Sequence, residues 1–65
     1  MRDEALSRAI KEAGGPTALA RAIGIQMESI YSWRRVPAAR VLQVEEATKI
    51  SRHELRPDLY PPEAA

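Results

Sequence analysis

Gly24 directly follows a run of apolar residues at helical spacing, Leu19, Ala20 and Ile23, and directly precedes another, Ile25, Ile30 and Trp33. A glycine there supplies the left-handed backbone that ends a helix, a conformation in which a Cβ crowds the neighbouring carbonyl. Two short helices must therefore meet at a tight turn and share one apolar seam. Pro16 fixes the start of the first, since the opening helical position needs no amide hydrogen, and Gly15 is an acceptable N-cap before it. The pattern predicts a helix over residues 16–23, a turn at Gly24, and a second helix over residues 26–35.

Similar punctuation divides the rest of the 65 residues. Ala5, Leu6, Ala9, Ile10 and Ala13 recur at helical spacing, with acids early and Lys11 late, which complements the helix dipole; a first helix over residues 3–13 follows. Val36 precedes Pro37 and so avoids helical angles, while the proline can open a fourth helix over residues 37–49. Its inward residues are expected to be Val41, Leu42, Val44 and Ala47 or Thr48, with Arg40, Gln43 and Glu46 left to water. Ser51 and Glu54 read as a capping box, with Ile50 stapled to Leu55, for a short fifth helix that Pro57 stops. Beyond it the chain should be extended, with Leu59 and Tyr60 either folded onto the core or offered to a partner. There is no strand-like alternation and no internal repeat. The expected fold class is all-α: five short helices in one domain over 1–65, a helix-turn-helix motif at 16–35, and a short extended tail at 57–65.

Composition narrows the functions available. With no cysteine there is neither a disulfide framework nor a thiolate metal site, so a chain this small must be held by packing or self-association. No apolar run approaches the roughly 20 residues that span a bilayer, and the start lacks the apolar stretch of a secretion signal. A soluble cytoplasmic protein is the expected setting. His53 is the lone histidine and sits within the capping-box sequence; Glu45 and Glu46 lie about 100° apart on a helix, which suits a solvated face and not a carboxylate pair. No nucleophile–base spacing appears. The chain is expected to be no enzyme, with no metal and no cofactor.

Net charge is only +1, but its distribution is uneven. In residues 1–13, Arg2, Arg8 and Lys11 balance Asp3, Glu4 and Glu12, and beyond Val44 acids outnumber bases. Between them Arg21, Arg34, Arg35 and Arg40 face Glu28 alone, so the basic excess coincides with the two-helix motif. Paired short helices joined by a glycine turn, with a basic surplus and a polar second helix, are the signature of a DNA-binding helix-turn-helix.

The resemblance extends beyond the motif. The ALARAIGI stretch of residues 18–25, the Ile30 and Trp33 pair, Val36, Pro37 and Ala38 followed by Arg40, Val41 and Leu42, and RHELRPDLYP at residues 52–61 together resemble small phage Cro-like repressors and the YdaS-type antitoxin family. This likeness covers nearly all of the chain after Gly14. It implies a lambda-repressor-like domain that binds double-stranded DNA, as a homodimer at least when on DNA, with a partner protein as a further possibility. Such relatives differ in whether the C-terminal half is helical or stranded; the capping at Ser51 and the stop at Pro57 favour helix here. One departure concerns the second motif helix, which usually opens on a serine or threonine cap. Here Gln26 and Met27 stand in that place, and Gln26 is a weaker cap, free to reach a base or phosphate.

In this docking mode the second helix enters the major groove by its N-terminal end while the first crosses the backbone. The expected base readers are Gln26, Met27, Glu28 and Ser32, since Gln pairs bidentately with adenine, Glu accepts from cytosine, and a methionine methyl can touch thymine. Thr17, Tyr31, Arg34, Arg35 and Arg40 are expected on phosphates, helped by the amides at the start of the helix over residues 16–23. Trp33 shares the register of Ile30 and is assigned to the core. The competing reading is a protein-interaction module, an antitoxin among them, in which Leu59, Tyr60 and the acidic tail make the contact and Arg34 and Arg35 merely complement a helix dipole.

Overall fold

The structure, a computed structural model, describes residues 2–61. Helix α1 (Glu4–Ala13) opens on Asp3, whose Oδ1 accepts the Leu6 amide at 2.8 Å. It ends at Gly14, at φ 99°, where the Gly14 and Gly15 amides donate back to the Lys11 and Ile10 carbonyls. Helix α2 (Pro16–Ile23) begins at once, with Pro16 in its first turn, and closes in the same manner. Gly24 takes φ 74° and the Ile25 amide donates to the Ala20 carbonyl at 2.9 Å, so the chain reverses within three residues before α3 (Met27–Ser32) starts. A 3₁₀ turn, Ala38–Arg40, leads into α4 (Val41–Thr48), and α5 (Arg52–Leu55) follows. The fold is all-α, with five α-helices and no strand among the described residues.

One core joins these elements: Leu6, Ala9 and Ile10 of α1, Leu19, Ala20 and Ile23 of α2, Ile30 of α3, Val41 and Val44 of α4, and Val36, Ile50 and Leu55 beside them. Trp33, Ile25 and Met27 pack against it half-buried, which agrees with the core assignment of Trp33. Ala20, 3% exposed, lets α3 cross close above α2 while Ile30, at 0%, fills the seam. Among the described residues Thr48 is the one buried polar side chain, and it is satisfied locally: its hydroxyl donates to the Val44 carbonyl and accepts the Ile50 amide.

Several segments differ from their sequence expectation. Helix α3 ends at Ser32 and does not reach Arg35: Trp33 is already extended at ψ 137°, and the chain beyond it is held by distant partners, the Arg34 carbonyl accepting the Asp3 amide at 2.8 Å and the Val36 carbonyl accepting Arg56 Nη1 at 2.8 Å. That leaves Val36 fully buried. The fourth helix is α-helical only from Val41, and its apolar stripe is Val41, Val44 and Thr48; Leu42, expected inward, is 50% exposed because it lies about 100° round from Val41. It ends at Thr48, with Lys49 in the left-handed region at φ 65°.

The capping box forms only in half. Ser51 accepts the His53 amide, but the Glu54 carboxylate pairs with Arg8 of α1; the staple residues Ile50 and Leu55 are both buried as expected. The segment after Pro57, expected extended, turns back: the Leu59 and Tyr60 amides both donate to the Arg56 carbonyl, and Tyr60 packs on the core while Leu59 stays exposed. The end of the tail, residues 62–65, lies outside the described residues.

Candidate nucleic-acid interface

Helix α3 buries Ile30 and turns the rest of its surface outward. Gln26, Glu28, Ser29, Tyr31 and Ser32 are exposed, Tyr31 by 58%, so three of the four residues expected to read bases, Gln26, Glu28 and Ser32, lie on an exposed polar face. Gln26 is the N-cap residue in extended conformation and makes no side-chain capping bond, leaving its amide group unengaged by the helix. Ser32 donates its hydroxyl to the Ser29 carbonyl at 2.8 Å, which retains the oxygen as an acceptor. Met27 is only half-exposed: it leans on the core, and the Thr17 hydroxyl donates to its Sδ at 2.8 Å. Thr17 and Met27, expected on phosphate and base respectively, therefore touch each other across the α2–α3 notch.

The basic residues divide into two groups. Arg34 and Arg35 follow α3 and its C-cap Trp33 and are exposed, and Arg35 Nη1 lies 3.6 Å from Asp58 Oδ2. Asp58 belongs to a larger bracket. It accepts Arg56 Nε at 2.9 Å and Nη2 at 2.7 Å, while Nη1 of the same guanidinium holds the Val36 carbonyl. The bond from Arg56 pulls the Asp58 carboxyl down to about 2 and raises Arg56 in return. Arg40 stands apart on the 3₁₀ turn, half-buried, with Nη1 on Gln43 Oε1 at 2.9 Å. Sequence reasoning missed two members of this surface. Asp58 pairs through a turn hidden behind the expectation of an extended tail, and Arg2, at the other end of the chain, rests its guanidinium over the Tyr31 ring at 5.8 Å.

A model of the family described as bacterial toxin YdaS matches residues 6–64. The chain belongs to this family. The YdaS likeness read from the sequence is thereby upheld, in a family whose description speaks of a toxin where the sequence reading spoke of an antitoxin. A solved structure, the Cro protein from the putative prophage element Xfaso 1 in Xylella fastidiosa strain Ann-1, is similar at 35% identity and a TM-score of 0.83, over 92% of this chain and 100% of that one. No curated protein matches. This YdaS-family chain thus has the fold of a prophage Cro protein, helical through its C-terminal half. No helix among the described residues is long and apolar enough to cross a membrane.

Proposed function

We propose that this YdaS-family chain is a sequence-specific, DNA-binding transcriptional regulator of the Cro type, working in the cytoplasm and binding a pseudo-palindromic operator as a dimer. The observation that carries the reading is the division of α3: Ile30 is fully buried against α2 while the opposite face is polar, exposed and bordered by Arg34 and Arg35. A helix held from behind in this way presents its start to a major groove. Gln26 and Glu28 read base edges by hydrogen bonds, Ser32 assists, and the half-buried Met27 offers a methyl to thymine. Thr17, Tyr31, Arg34, Arg35 and Arg40 hold the phosphates on either side.

Each bidentate pairing discriminates by roughly 1–3 kcal/mol, so two or three readers per half-site give useful specificity only when two half-sites act together. Selection from a randomised duplex library tests this. The expected result is a pseudo-palindrome with half-sites about one helical turn apart and an affinity that falls steeply with salt; no enrichment and no salt dependence would overturn it.

A second reading, binding of a partner protein, is favoured by one feature: a groove of 390 Å³ between α2 and α4, lined by Ala22, Ile23, Leu42, Gln43, Glu46 and Ala47, on whose rim Leu42 is half-exposed. Under that reading Leu42→Asp abolishes the partner's binding and leaves DNA binding intact.

A further inference from the structure

The N-terminal segment is tied to the end of the reading helix by two independent contacts. The Asp3 amide donates to the Arg34 carbonyl at 2.8 Å, fixing the backbone beside the residue that follows α3 and its cap, and the Arg2 guanidinium lies over the Tyr31 ring, 5.8 Å from its centroid. At that distance the guanidinium is within cation–π range of the ring, which holds it in place without neutralising its charge and leaves it able to meet an anion. The nearby acid is otherwise engaged: Asp3 caps α1 through the Leu6 amide, and its charge also acts on Arg56. Among the described residues the ion pairs recruit Arg8, Arg35, Arg52 and Arg56, and Arg2 is in none of them. Arg2 is therefore a pre-positioned cation on the same edge as Tyr31, Arg34 and Arg35.

We propose that Arg2 is a phosphate-contacting residue of the DNA interface, with Tyr31 as the residue that positions it. This rests on the DNA-binding reading above and deepens it: the strand bordering the major groove is gripped by the chain's first residues as well as by the motif. The ring of Tyr31 then has two roles, its own hydroxyl contact and the support of a second cation, and the contact carries no sequence information.

The test is fluorescence anisotropy of the full chain on its selected duplex and on a scrambled one, titrated across salt. Arg2→Ala is expected to weaken both duplexes by a similar factor, roughly threefold to fivefold at low salt, and to lower the slope of log affinity against log salt by about 0.9. Lys49→Asn is the control for net charge; it removes one cation from the far end of α4, and asparagine tolerates the left-handed backbone there. It should leave the slope unchanged. Tyr31→Phe keeps the stack and should retain the Arg2 contribution, whereas adding Arg2→Ala to Tyr31→Ala should cost little beyond Tyr31→Ala alone. An unaltered slope for Arg2→Ala, an equal loss for Lys49→Asn, or full additivity of the double variant would overturn the assignment while wild-type binding persists. Absence of any wild-type binding would instead remove the DNA-binding reading itself, and this inference with it.

Discussion

The α2–α3 motif and the C-terminal segment from Val36 onward are held together in different ways. In the motif the backbone satisfies itself: Pro16 opens α2 without an orphan amide, and the Ile25 amide closes it on the Ala20 carbonyl through a glycine that takes φ 74°. In the C-terminal segment side chains satisfy the backbone from a distance. Arg56 holds the Val36 carbonyl, Glu45 accepts the Arg52 amide at 2.8 Å, and the His53 ring nitrogen Nδ1 lies 3.0 Å from the Tyr60 carbonyl. The difference teaches that local rules set the α2–α3 surface, whereas long-range brackets fold the rest beneath and around it.

The comparison breaks most visibly at the seam the two regions share. Leu19→Ala empties a fully buried site between α1, α2 and the rest of the core and is expected to cost about 2–5 kcal/mol. That is a large share of the roughly 3–10 kcal/mol available to a chain of this length, and thermal melting should show the variant largely unfolded near physiological temperature. Arg56→Ala comes next. Its side chain is 11% exposed, and losing it strands the Val36 carbonyl and leaves Asp58 only the longer pair with Arg35, for an expected cost of about 1–3 kcal/mol by urea denaturation. Gly24→Ala should cost about 1–2 kcal/mol, and Gly24→Asn less, because a Cβ at Gly24 meets no atom within 4 Å and the penalty comes from its φ alone.

The smallest effect is an acid one. Asp58 is held at about 2 in the folded chain against 3.8 for a free side chain, so its contribution is complete above about pH 4 and is lost as pH falls toward 2. Melting temperature followed across that window should decline less steeply in Asp58→Asn than in wild type.

The same contrast explains what could be read from the sequence. Pro16, Gly24 and the Leu19, Ile23 and Ile30 spacing give the motif because each constraint acts within one or two turns of chain. Helix α3 runs shorter than its pattern: the chain is extended from Trp33, and the segment after it is held by Asp3 on the Arg34 carbonyl and Arg56 on the Val36 carbonyl, residues 31 and 20 positions away. Leu42 looked inward because apolarity alone does not say which side of Val41 faces the core. The turn after Pro57 was hidden for a like reason: Arg56 and Asp58 close it with a side-chain fork, not with turn residues. At the candidate interface, the outward face of α3 was legible from periodicity. The cation–π contact of Arg2 with Tyr31 and the pairing of Arg35 with Asp58 were not, since both join distant parts of the chain.

Under the proposed DNA-binding function the outer face of α3, and not the α2–α4 groove, meets the duplex. Amide chemical shifts recorded while a selected duplex is added test it most directly. The account predicts large shifts at residues 26–35 and at Thr17, with the amides of Leu42, Glu46 and α5 nearly still. Shifts concentrated at Ala22, Leu42 and Glu46, or none at any duplex concentration, would contradict it.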